Sequence, residues 1–137
     1  MATWQMNNVV TGSPERPKYV QTGLVTEIWT IALPNTTAAA DTIVGPTLPA
    51  NCTLYDIVVD TQSIAATSSI SVGISGTAAK FLSASNVGSA GGITRAAVAG
   101  TVSYTPTADT PIITTINTAT TPAAGNFTMG ITYTASP

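Results

Sequence analysis

Apolar and polar residues alternate along much of this chain with a period of two, the spacing of a strand that buries one face. Between Tyr19 and Leu33, the residues Val25, Glu27, Trp29, Ile31 and Leu33 fall on one face and Leu24, Thr26, Ile28 and Thr30 on the other. That pattern predicts a long strand interrupted at Gly23. After the turn Pro34-Asn35-Thr36-Thr37, a short strand is predicted around Thr42-Ile43-Val44. From Thr53 to Ile64, strict alternation puts Tyr55, Ile57 and Val59 on a dry face and Leu54, Asp56, Val58, Asp60 and Gln62 on a mixed one. Ile70, Val72 and Ile74 alternate with Ser69, Ser71, Gly73 and Ser75; Phe127, Met129, Ile131 and Tyr133 alternate with Thr128, Gly130, Thr132 and Thr134. Lys80-Phe81-Leu82 reads as a short strand or a single turn, Ser83 to Gly92 as a loop, and further strands are expected near Ala96 to Tyr104 and Ile112 to Asn117. No segment carries convincing helical spacing. About eight short strands between Gly, Pro and Asn turns imply an all-β chain, an antiparallel β-sandwich or jelly roll over residues 19 to 137. Residues 1 to 18, with Gly12 and the run Ser13-Pro14-Glu15-Arg16-Pro17-Lys18, read as an extended N-terminal arm or a poorly ordered lead-in.

Composition sharpens this picture. The 137 residues suit a single domain. Thr occurs 26 times and Ala 20 times, while only 7% of the residues are charged, against about 25% in an ordinary soluble domain. Threonine favours strands and covers a sheet with hydroxyls at no cost in charge. With no His and a single Cys, histidine triads, Cys-His dyads and zinc clusters cannot be built within one chain. Four basic residues, Arg16, Lys18, Lys80 and Arg95, face six acidic ones, so the cationic footprint needed to bind nucleic acid is missing. The N-terminus has no signal-peptide pattern and no apolar run reaches the length of a membrane span, so a chain made in the cytoplasm, with no membrane partner, is expected. Cys52 has no basic neighbour in sequence and reads as a small buried hydrophobe.

The remaining catalytic device would be a carboxylate pair. Asp56 and Asp60 lie four apart on one strand face, about 13 Å at the usual rise per residue, too far to share a proton or one small metal ion. Asp41 and Asp109 could each contribute to a calcium site in a loop, but read more simply as solvated turn residues. No enzyme activity, metal or other cofactor is therefore expected. A chain so short of charge either stays soluble through hydroxyls or hides surface in a complex, and apolar residues on both faces of the predicted strands favour a homo-oligomer, with three copies a common jelly-roll solution. Trp4 lies in the arm, where no local core awaits it, and is expected to anchor the arm in a pocket of its own domain or of a neighbour. With Trp4, the candidate interface comprises Glu15, Arg16, Lys18 and Tyr19, where the few charges cluster. A carbohydrate-binding module would need an exposed aromatic platform, for which Trp4, Tyr19, Trp29, Tyr55, Tyr104 and Tyr133 are available.

The run Asp41-Thr42-Ile43, Leu48-Pro49-Ala50-Asn51, then Leu54, Asp56 and Val59-Asp60-Thr61, followed by the Ser/Thr strand Ser69 to Gly76, a Gly-rich loop, Tyr104 to Ile116 and Ala124 to Tyr133, resembles small virion proteins of tailed bacteriophages. The resemblance covers residues 40 to 135. Being short and without a repetitive shaft, the chain looks most like a head decoration or cement protein. Such proteins sit on the outer capsid, often as trimers, and bridge neighbouring major capsid subunits, so the resemblance implies a capsid exterior location, the major capsid protein as partner and no catalytic residues. A minor tail, baseplate or fibre-base protein would share the sandwich and the lack of catalysis, and would be told apart by its copy number per particle.

Overall fold

The computed structural model describes residues 1–9, 23–96 and 103–134. Its strands are β1 (Thr3–Gln5), β2 (Asn7–Asn8), β3 (Leu24–Leu33), β4 (Thr42–Leu48), β5 (Thr53–Thr61), β6 (Ala65–Ile74), β7 (Thr77–Ser85), β8 (Gly92–Arg95), β9 (Thr110–Pro122) and β10 (Gly125–Thr134), with one short helix, α1 (Val87–Ala90). They form two five-stranded sheets, one in the order β1-β4-β9-β6-β7 and the other β2-β3-β10-β5-β8. Leaving out the two short N-terminal strands, the eight from β3 to β10 split as 1-8-3-6 and 2-7-4-5. This is the double-sheet arrangement of a jelly roll, and the all-β sandwich expected from the alternation is what the chain forms.

The core is the interior between the sheets. Trp29, Leu33, Ile43, Ile57, Phe127, Met129 and Ile131 are buried in it. β10 is the centre of the second sheet, paired along its length with β3 and β5, so the unbroken alternation of Phe127, Met129, Ile131 and Tyr133 reflects a strand whose neighbours leave no freedom of register. Glu27, on the inward face of β3, is buried too and accepts a hydrogen bond from Trp29 Nε1 at 3.3 Å. Cys52 is a fully buried thiol.

Two expectations are corrected. In β5, Tyr133 pairs with Leu54 and Thr132 with Asp56, so Tyr55 is an extra residue in a bulge. The bulge reverses the alternation, burying Leu54 and leaving Tyr55 exposed, contrary to the placement of Tyr55 on the dry face. Lys80-Phe81-Leu82 belongs to a nine-residue strand, and Ser83 to Gly92, expected as a loop, supplies the end of β7, helix α1 and the start of β8. Small residues allow this close packing: a Cβ on Gly88 would lie 2.7 Å from Ser68 Oγ. On the serine face of β6, burial is confined to the middle: Ser69 is half-buried and Ser75 exposed. Ser71 is buried, taking hydrogen bonds from Asn117 Nδ2 at 2.9 Å and the Ala84 backbone N–H at 3.1 Å. The strand predicted at Ala96 to Tyr104 lies partly outside the described residues; β8 ends just before it, and Tyr104 bridges Leu54.

Candidate functional site

The N-terminal residues do not stand away from the domain. Thr3-Trp4-Gln5 runs parallel to β4, and Asn7-Asn8 pairs antiparallel with β3 in the opposite sheet. Met6 spans the gap between them, is fully buried, and donates its backbone N–H to Val44 at 2.9 Å. The segment is thus a strap closing one open side of the sandwich. Asp41 fixes its start: one carboxylate oxygen accepts the Ala2 N–H at 2.7 Å and the other accepts the Ala38 N–H at 2.8 Å. Asp41 is only 2% exposed, so it is a structural clamp rather than a solvated turn residue. The signal was present in the sequence, since Thr3-Trp4-Gln5-Met6-Asn7 itself alternates polar and apolar residues.

Trp4 is half-buried opposite Ile43 and packs against the core of its own domain. Of the candidate interface residues it is the one the structure places; Glu15, Arg16, Lys18 and Tyr19 lie outside the described residues. Trp4→Ala is expected to lower the stability of the isolated protein by roughly 1–3 kcal/mol, less than a fully buried Trp would lose, as measured by chemical denaturation. An unchanged midpoint would show that the ring serves something other than this core.

The two outer faces of the sandwich differ in kind. On the first sheet, hydroxyl and amide side chains bond one another across strands, as in Thr3 with Thr42 at 3.1 Å and Asn117 with Ser71. On the second sheet, Leu24 and Ile28 from β3 and Ile93 from β8 are exposed large hydrophobics, Ile93 by 73%, and Tyr55 projects from the bulge in β5. Register explains how a groove forms there. Gly130 of β10 lies between Ile28 of β3 and Val58 of β5, and a Cβ at position 130 would meet nothing within 4 Å. The missing side chain leaves a depression of about 370 Å³ between the two apolar neighbours, with Thr26, Thr128 and Thr132 around it. The flanking hydroxyls satisfy each other, Thr26 with Thr132 and Thr30 with Thr128, each at 3.1 Å. Paired hydroxyls hold water less tightly than free ones, so this face is cheaper to dry than its threonine content implies.

Charge on the face is acidic. Asp56 and Asp60 both line the groove; Asp56 sits 3.6 Å from the mostly exposed guanidinium of Arg95, while Asp60 stands opposite the apolar Ile93. The other described carboxylates serve the fold: Glu27 and Asp41 are buried, and Asp109 accepts the Ala50 N–H at 3.0 Å. Among the described residues no three potential ligands cluster for a metal ion, and no helix is long and apolar enough to cross a membrane. The described aromatics form no platform for a sugar. Trp29 and Tyr133 are buried, and Tyr104 packs edge-on against Phe81 at 5.5 Å with Lys80 Nζ 4.7 Å from its ring centre. Tyr55 alone among them is well exposed.

No protein-family model matches the sequence, and no curated protein matches it. Solved structures do resemble it in fold. A chain of the "Cyanophage Pam1 capsid asymmetric unit" superposes with a TM-score of 0.75 at 22% identity, over 89% of this chain and 92% of that one. A chain of the "Capsid of Ralstonia phage GP4" gives 0.73, also at 22% identity, over 99% of both. The acid-stable capsid of Helicobacter pylori bacteriophage KHP30 contributes a match of 0.59 at 18% identity, over 81% of this chain and 88% of that one. At these identities the likeness is one of fold, and it extends over at least four fifths of this chain and of each partner.

Proposed function

We propose that this chain is a non-enzymatic structural protein of a tailed-bacteriophage virion, which binds the outer surface of the capsid as a trimer and bridges major capsid subunits. The observation that carries this reading is the end-to-end likeness to chains of phage capsids, each of a size similar to this one. A jelly roll of this size whose described carboxylates are mostly structural fits an accessory part added to a shell. The apolar outer face of the second sheet supports it, because an exposed hydrophobic surface of this kind marks a site of protein contact. Bridging several subunits would raise the avidity of weak contacts by about 10²- to 10⁴-fold, so no single interface need be strong.

Cryo-EM of the intact particle tests the proposal. Threefold density fitting this jelly roll is expected on the head exterior, touching more than one major capsid subunit. Density confined to the tail or baseplate, or none outside the head, would overturn it.

A further inference from the structure

We propose that the groove over Gly130 is the socket for a major capsid subunit, which inserts one apolar side chain between Ile28 and Val58 and sets a lysine or arginine against Asp60. This rests on the capsid-binding reading above. Shape supplies the first argument. Gly130 is a strand residue with no positive φ and open space where its Cβ would be, so neither backbone conformation nor crowding calls for glycine there. In a central strand a glycine weakens the sheet, and it is commonly found where another molecule approaches closely. The depression it creates has the apolar lining and central position that interface anchors occupy.

Charge supplies the second. Among the described residues the groove has two carboxylates and one cation close by, and the cation, Arg95, is already beside Asp56. A second copy of this face would bring the same excess of carboxylate, whereas a partner carrying a cation next to its apolar anchor matches both features. Lys80 of the same chain belongs to the other sheet, where it covers the Tyr104 ring.

The test uses shells of the particle's own major capsid protein assembled without this chain, and the full-length protein as wild type, Gly130→Val, Ile28→Thr and Asp60→Asn. Co-sedimentation at low and high salt gives affinity; thermal melting and light-scattering mass give fold and oligomeric state. Valine fills the socket and suits a strand, so Gly130→Val should melt no lower than wild type, keep its mass and bind about 30-fold or more weakly. Ile28→Thr should weaken binding as well, by about 10-fold, and Asp60→Asn should flatten the salt dependence. Wild-type binding with undiminished binding by Gly130→Val and Ile28→Thr would overturn the socket while leaving the decoration role standing. A changed mass in Gly130→Val would assign the face to contact between copies, and a lowered melting temperature would assign it to the chain's own packing; either overturns the proposal. Failure of wild type to bind any shell would instead reject the capsid-binding reading on which it rests.

Discussion

Asp41→Ala is expected to destabilise the isolated protein by about 3–5 kcal/mol and to release the N-terminal strap. The carboxylate is buried and both its oxygens accept backbone N–H groups, from Ala2 and Ala38, at 2.7 and 2.8 Å. Hydrogen bonds to a charged acceptor contribute about 1.5–3 kcal/mol each, and the two donors would be left buried or re-solvated at a cost. The loss also propagates. The Thr42 N–H donates to Ala2 O at 2.9 Å and the Met6 N–H to Val44 O at 2.9 Å, so freeing residue 2 loosens the parallel β1–β4 pairing that holds Trp4 and Met6. Hydrogen exchange at Met6 and Thr42 should accelerate far more than at the centre of β10, and Asp41→Asn, which keeps one acceptor, should recover part of the stability. If the variant lost under about 1 kcal/mol with those amides still protected, the strap would be held by its apolar contacts alone.

Gly73→Ala is expected to be as damaging for a different reason. A methyl group there would overlap the carbonyl oxygen of Thr77 and approach the Ala78 carbonyl carbon to 2.6 Å. Both obstacles are backbone of the neighbouring strand, so no side-chain rotation relieves them. The hairpin closes immediately afterwards, with Ile74 paired to Thr77 across Ser75 and Gly76, so the strands have little room to part. Accommodating the methyl means prising β7 from β6, at a cost of about 3 kcal/mol or more, a large share of the roughly 5–15 kcal/mol that holds an ordinary domain together. Denaturant midpoints, with soluble yield as a second readout, measure it. Gly130→Ala is the control: it too places a methyl on a strand glycine, but into open space, and should be neutral or slightly stabilising. Equal tolerance at the two positions would mean that the β6–β7 contact is looser than its geometry.

These two glycines have fates that local sequence does not distinguish. Gly73 and Gly130 both sit in alternating Ser/Thr strands and look alike in the chain; one is pressed against a neighbouring backbone and the other lies open at the bottom of a groove. Similarly, Asp41 stands just before one strand and Asp60 within another, and nothing in the chain distinguishes their roles, but one is buried under the strap and the other lines the apolar face.

The period-two alternation by itself determined that the chain is all β, because a strand with one buried face cannot hide that spacing. It determined which residues of β10 share a face and which of β3 do, and the continuous β3–β10 pairing keeps those faces intact; which face of β3 enters the core it left open. The scarcity of charge and the absence of histidine likewise limit the available chemistry whatever the fold. Three things were decided only by tertiary structure. The bulge at Tyr55 turned Leu54 inward, because an unpaired residue in one strand is defined by its partner strand and leaves no mark on its own. The N-terminal strap took its place because both sheets offered unpaired edges and a gap that Met6 fills; the alternation of Thr3 to Asn7 marks a strand, but where that strand docks is a long-range fit. The groove over Gly130 exists because Ile28 and Val58, distant in sequence, are brought to either side of a residue with no side chain; local pattern records the glycine, and only register reveals what stands beside it.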